Sequence, residues 1–575
     1  MGVILIAGFL GALLASRLGQ GVIIGYIVAG VLIGPFLHIE LGPFVYNGLV
    51  NQTDLVQSIS SLGIVLLIFF VGLEFSVDKI RRVKGPAVVL SLIDVGVNLF
   101  TGILLATALG WPLVDTIFLA SILSMSCSAV AMKTLMELGR LGRPETEFML
   151  GMIIMEEFIS MLFLTVVSGL IVKEGGFDLA RLVGGMVVFF VCFAVMAAVV
   201  IPRTVDRIRR MDSDELFIVF MLAVICLFAA LAELCGVPAL IGAFFLGMTF
   251  AETKAMERLE RKIVPLRDVF VAVFFVSFGM MIDISMFGAV AGIIAIAIVL
   301  IVFDEIIVMS AAAYLAGFPR RAATSIGASF SARGGESVMY AAVGSSAAGA
   351  TKGAELYPIA GAVTFVMSAL CPYLIRKAYG FADWCARRLP RYLTYGGAVI
   401  SRTLGKMIMP GGLRLARPSR PMVAALSGYV VVLLAIASTN GTAQLAAAVL
   451  GIAAVGIVAA LLHGYMLELT RKVNYGNLGA APAAARTIAR FVTSFVVLSL
   501  LLCVTVEVAY FVFWPAIGAI ALAYALWAVN LTHWAYRRTC DPDRYARLRG
   551  SALAAGAGPA VLEGPPVQFL YRRRY

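Results

Sequence analysis

The chain has 575 residues, 61% of them hydrophobic and 14% charged, with a formal net charge of +12. That composition excludes an ordinary soluble domain, because apolar runs long enough to cross a hydrocarbon core of about 30 Å recur along the chain. The excess of Lys and Arg does not point to nucleic acid, since most of it sits in short loops between apolar runs, where it sets membrane orientation.

In chain order, apolar runs fall at 2–16, 21–37, 58–75, 86–109, 113–136, 148–172, 182–202, 215–234, 237–251, 268–283, 288–316, 322–347 and 355–378. The pattern predicts an all-α polytopic membrane protein with about thirteen spans in residues 1–380, several of them short. The first run lacks a basic leader and an Ala-x-Ala site, so it reads as a span and not a removable signal. Basic residues cluster in alternate loops, such as Lys79 to Lys84, Arg203 to Arg210 and Lys254 to Lys262. This puts the N-terminus outside and the end of the thirteenth span in the cytoplasm of a plasma-membrane protein. A basic cytoplasmic linker follows at 381–421, then about four further spans within 422–536, then a cytoplasmic tail at 537–575.

An internal repeat runs through the first part. Phe69-Phe70-Val71 matches Phe274-Phe275-Val276, and Ser124-x-Ser126 matches Ser329-x-Ser331 at the same offset. With an odd connection between the copies, the halves take opposite orientations, as in transporters built from inverted repeats. The repeat pairs two polar interruptions, Ser124 to Ser128 and Ser329 to Glu336, the latter containing Arg333 and two glycines. Two broken helices crossing near the midplane explain them, since freed backbone groups need a polar surrounding. In the alternative, the serines bond back within continuous helices and Arg333 snorkels to the interface.

Glu156 and Glu157 lie inside an apolar run, two turns past Phe148 or roughly 12 Å into the core. Adjacent carboxylates are costly there, so they mark a functional site by default. Such a pair holds a proton or a partly dehydrated cation, seldom both. Glu157 is therefore expected to be the principal ligand of a monovalent cation or proton, with Glu156 its partner and Ser126 and Ser128 contributing oxygens. In the competing reading the pair simply neutralises Arg333 and holds the bundle together. Asp304 and Glu305 form a second acidic pair, which either adds a proton site, pairs with Arg333, or faces a water-filled vestibule. Asp94 and Asn98 share one helix face and read as an inter-helix hydrogen-bond pair, while Glu336 joins the supporting charged core. The eight cysteines have neither metal spacing nor a disulfide framework, and the three histidines are widely separated. No cofactor motif is present, no nucleotide-binding Gly-x-Gly-x-x-Gly follows residue 380, and the chain is not expected to be an enzyme.

Four motifs in matching order resemble the Kef-type monovalent cation:proton antiporters. They are Gly25-Tyr-Ile-Val-Ala-Gly-Val-Leu-Ile-Gly-Pro35, Leu62 to Glu74, Pro238-Ala-Leu-Ile-Gly-Ala-Phe-Phe-Leu-Gly247 and Pro265 to Asp283. The resemblance covers roughly residues 1–380 and implies exchange of Na+ or K+ for protons. It further implies a homodimer, with the lipid bilayer as its surroundings. It also implies an alternative, a gated potassium efflux channel. Members of that family commonly end their acidic pair in Asp, where this chain has Glu157. They also tend to carry a lysine where this chain has Asp304 and Glu305.

Overall fold

A computed structural model describes most of residues 1–50, scattered positions in 62–73, most of 85–171 and a few within 188–195. It also describes 213–408 save short gaps, parts of 421–432, and nearly all of 442–475 and 484–540. The predicted spans 58–75, 182–202 and 422–438 lie largely outside the described residues, as do Ser128 and the tail from 541. Among the described residues, seven helices are long and apolar enough to cross a membrane, and five shorter apolar helices accompany them. The chain is a membrane-embedded, multi-pass protein. Its helices turn large apolar side chains outward, as with Phe9 and Leu14, in the way a lipid solvent permits. One feature departs from an all-helical chain, an antiparallel hairpin of β1 (Ile39–Leu41) and β2 (Phe44–Tyr46).

The described residues divide into two compact units. The first comprises Met1–Met309 and Ile326–Lys377. Here α1 (Gly2–Arg17) and α2 (Val22–Ile33) pack backbone to backbone at Gly11 and Gly25. The chain continues through α3 (Gly85–Ala108), α4 (Leu113–Ser124), α5 (Pro144–Ile171), α6 (Asp214–Leu234), α7 (Ala239–Ala251) and α8 (Met256–Met280). At the α2–α8 crossing, a Cβ on Gly30 would lie 2.9 Å from the Cα of Gly279. Glycine is thus required for the close approach, and the Gly-rich motif of α2 is a packing device. Next come α9 (Phe287–Phe303) and a π-helical turn at Asp304–Met309. Beyond residue 325 lie the end of α11 (Arg320–Phe330), then α12 (Gly335–Ser345) and most of α13 (Gly353–Arg388).

Asp115 ties the start of α4 to the loop before α13. It is fully buried, and accepts from Thr351 N (3.1 Å), Thr351 Oγ1 (2.9 Å) and Lys352 N (3.0 Å). Asp115→Ala removes three hydrogen bonds to a buried carboxylate and should cost about 1–3 kcal/mol, read as a lower melting temperature in detergent.

The second unit comprises Ser310–Ser325 and Ala378–Tyr575, including α10 (Ser310–Leu315), α14 (Arg391–Ile408), α15 (Thr442–Lys472), α16 (Ala485–Phe513) and α17 (Ala516–Thr539). The stretch read as a linker is helical through Arg388 and again over Arg391–Ile408. Its many basic residues hide an apolar stripe: Tyr395, Val399 and Ile400 pack with Leu462, Ile488 and Phe491. Tyr395 Oη meets Thr539 Oγ1 at 2.8 Å, and Thr403 Oγ1 meets Tyr475 Oη at 2.8 Å.

Candidate functional site

α4 stops at Ser124, and Met125 takes an extended conformation. Ser121 and Ser124 bond back along the helix, to Ile117 O (2.6 Å) and Ser121 O (3.1 Å). Ser126 does not. In the extended chain its N–H donates to Glu156 Oε1 at 2.6 Å and its hydroxyl donates to Glu156 Oε2 at 2.7 Å. One carboxylate therefore takes both donors of Ser126, and it is only 2% exposed. The back-bonding alternative describes Ser124 and Ser331, whose hydroxyl donates to Ala328 O at 2.7 Å, and fails at Ser126.

The second break spans Ser331 to Gly334, between α11 and α12. The two breaks touch: Cys127 N donates to Ala332 O at 2.8 Å, one main chain bonding to the other. Gly334 passes so close to Cys127 that a Cβ there would lie 2.8 Å from the Cβ of Cys127. Gly334→Ala must therefore push the strands apart, and we expect it to abolish ion exchange and lower the melting temperature, while Gly335→Ala is milder. Gly335 has only the flexible Phe275 ring at 3.3 Å.

Arg333 sits in this crossing with no exposed surface. Its Nε donates to Leu123 O (2.7 Å), Nη1 to Phe330 O (2.7 Å) and Ala332 O (3.2 Å), and Nη2 to Asn98 Oδ1 (2.9 Å) and Glu305 Oε1 (3.1 Å). All five guanidinium hydrogens are used. Two of the acceptors are last-turn carbonyls of α4 and α11, which have no intrahelical partner and carry the negative ends of the helix dipoles. The buried ion pair of Arg333 is with Glu305, not with Glu156, which bonds to Ser126 instead. Arg333 nonetheless acts on Glu156 electrostatically.

Adjacent residues on a helix point about 100° apart, so Glu156 and Glu157 cannot both face the break. Glu157 is half-buried. Glu336, in the first turn of α12, has a buried Oε2 that no donor among the described residues reaches, and both Glu157 and Glu156 act on it electrostatically. Among the described residues no three His, Cys, Asp or Glu side chains converge as a metal-ion ligand set.

Asp304 and Glu305 open the π-helical turn, and both are buried. They do not act as a pair. Thr101 Oγ1 donates to Asp304 Oδ2 at 2.6 Å, whereas Glu305 accepts from Asn98 and Arg333. Asn98 also donates back to Asp94 O at 2.9 Å, so it joins helices as expected, though through Glu305 and Arg333. Sequence reasoning missed Thr101, Ser337, whose hydroxyl donates to Ile122 O (2.7 Å), and Tyr340, whose hydroxyl donates to Ser160 O (2.8 Å). Thr101 had a signal, because Asp94, Asn98 and Thr101 repeat at helical spacing on one face of α3.

Residues 3–376 match the family model described as "Sodium/hydrogen exchanger, transmembrane", and the match ends where the first unit ends. The chain is 30% identical over 384 residues to the K(+)/H(+) antiporter subunit KhtU of Bacillus subtilis, covering 66% of this chain and 92% of that one. It is 26% identical to a probable Na(+)/H(+) antiporter, GerT of Bacillus cereus, covering 60% and 89%. Among solved structures, the sodium proton antiporter MjNhaP1 of Methanocaldococcus jannaschii superposes with a TM-score of 0.49 and 17% identity, covering 66% of this chain and 96% of that one.

Proposed function

The chain belongs to the sodium/hydrogen exchanger family, and from that premise we propose that it is a secondary antiporter exchanging Na+ or K+ for protons through Glu157 and Glu156. The observation that carries this reading is the bidentate hold of Ser126 on the buried Glu156, directly at the crossing of two helix breaks. That hold keeps Glu156 at the crossing, and the next residue on α5, Glu157, is a half-buried acid inside an apolar helix, where a carboxylate marks a functional site. The half-buried Glu157 is the principal ligand of proton and cation, and Ser126 and Ser128 supply oxygens. Glu336 stands by as a supporting acid, while Arg333, Glu305 and Asp304 hold the charged core.

One site that accepts either a proton or a cation produces exchange when it is presented to the two sides in turn. About thirteen spans in residues 1–380, arranged as inverted repeats, supply the moving and static parts of that alternating access. The protein works as a homodimer in the plasma membrane, with its N-terminus outside and its C-terminus cytoplasmic. Residues 422–536 add further spans after the basic segment 381–421.

The test is cation-driven proton movement by the purified chain in proteoliposomes with the membrane potential clamped. Imposed gradients of Na+ or K+ are expected to drive protons the opposite way. Cation flux with no proton counter-movement would sink the antiporter reading and establish a gated efflux channel.

A further inference from the structure

Between Asp383 and Asp541 the chain holds fourteen Lys and Arg but only two acids, Glu468 and Glu507. Five of those cations are brought together at one end of the second unit. α13 ends in Arg387 and Arg388, Leu389-Pro390 leads directly into Arg391 at the start of α14, and α17 ends in Arg537 and Arg538. All five are exposed. Two contacts join the helix ends: the rings of Tyr392 and His533 stack at 5.1 Å, and Tyr395 Oη meets Thr539 Oγ1 at 2.8 Å. Arg391 is the neighbour of one ring of that stack, and Arg537 lies one turn beyond the other. Arg538 sits over the ring of Trp534, 5.2 Å from its centroid, which leaves its in-plane N–H groups to an anion. Asp383, the acid nearest in sequence to Arg387, is taken by Arg321 at 2.7 Å.

The outward face of α17 says what kind of anion fits. Residues eleven apart on a helix share a face, three turns or about 16 Å from one another. Arg537 stands above Leu526 in this way and Arg538 above Trp527, and both apolar side chains are more than half exposed. Asn530, also exposed, lies between, about 10 Å below Arg537 on the same face. α13 closes in a similar manner, with an exposed Trp384 stacked on Phe381 one turn before the arginines, and such rings gather where headgroups begin. A soluble anion would use the arginines alone, and an acidic protein has no use for the apolar stretch below them. A phospholipid matches every level, with its phosphate at the guanidinium forks, its ester oxygens at the Asn530 amide and an acyl chain along Leu526 and Trp527. We propose that the joined ends of α13, α14 and α17 form a binding site for anionic phospholipid, whose headgroups balance the positive charge of this end. The site stands apart from the choice of Glu157 as ion ligand.

Quenching of tryptophan fluorescence by brominated lipids, with the full chain in mixed vesicles, tests this. Brominated phosphatidylglycerol should bind about fivefold or more tightly than brominated phosphatidylcholine, the gain from the attraction of a single surface arginine or better. R387Q/R388Q/R391Q/R537Q/R538Q should bring the ratio close to one, and the pair R537Q/R538Q should remove most of the preference. R203Q/R207Q/R209Q/R210Q, which takes four arginines from another basic loop, should leave the ratio unchanged. Added inorganic phosphate should not displace the lipid. A wild-type ratio of one, or an equal loss in the loop variant, overturns the proposal and leaves the arginines as orientation signals. Full displacement by inorganic phosphate overturns it in favour of a soluble anion, and full displacement by polyglutamate in favour of an acidic protein. Should the quintuple variant not fold, R537Q/R538Q decides, and an unchanged ratio in that pair also overturns the site.

Discussion

Glu157→Gln is expected to abolish cation-driven proton movement, a loss of roughly a hundredfold or more, equivalent to removing one charge-assisted contact of about 3 kcal/mol. The amide keeps the volume and the hydrogen-bonding capacity of the acid, so folding should survive. What it cannot do is release a proton or balance a cation. Glu156→Gln is the informative contrast. Its amide oxygen can still accept the Ser126 N–H, and the Ser126 hydroxyl can turn to accept from the amide, so the clamp at the break persists. A smaller loss of about tenfold is expected, with the apparent cation affinity moving along with the rate. Glu156→Ala removes both bonds, leaves the Ser126 N–H without its acceptor, and should lower the melting temperature as well as the rate. Full exchange by Glu157→Gln, measured with a pH-reporting dye in potential-clamped vesicles, sinks the ligand assignment. An active Glu157→Gln beside a dead Glu156→Gln exchanges the two roles.

How much of this was legible in the sequence depends on what each feature answers to. The helix breaks were readable because serine and glycine runs inside apolar stretches have few other uses in a bilayer, and Arg333 stood out by its cost there. The acidic pair was readable for the same reason, but not its division of labour. That Glu156 meets Ser126 follows from how α5 is rotated against the first break, which hydropathy does not encode. The lysine expected opposite the site by resemblance is absent, and its place is held by Glu305, which takes the Arg333 charge supplied from the second break. Nor did composition reveal α14. Its dense Arg and Lys suggested a linker, but the buried stripe through Tyr395, Val399 and Thr403 recurs every four residues and faces a core of its own.

Arg333→Ala is expected to have the largest effect on folding. Removing one partner of a buried ion pair typically costs about 3–5 kcal/mol, because Glu305 loses the guanidinium that balances its charge. Here three carbonyl oxygens also lose their donors, at Leu123, Phe330 and Ala332. Arg333→Lys separates charge from geometry. The ammonium can neutralise Glu305, but with three hydrogens radiating from one point it cannot reach acceptors on α3, α4, α11 and the π-helical turn together. It should therefore recover part of the melting temperature while leaving exchange impaired, since the crossing is held by the breadth of the guanidinium fork as well as by its charge. A lysine variant with wild-type exchange would show that the charge alone is enough, and that main-chain contacts such as Cys127 N to Ala332 O suffice to keep the two breaks together. Thermal unfolding in detergent and proton movement in vesicles, measured on the same preparations, distinguish these outcomes.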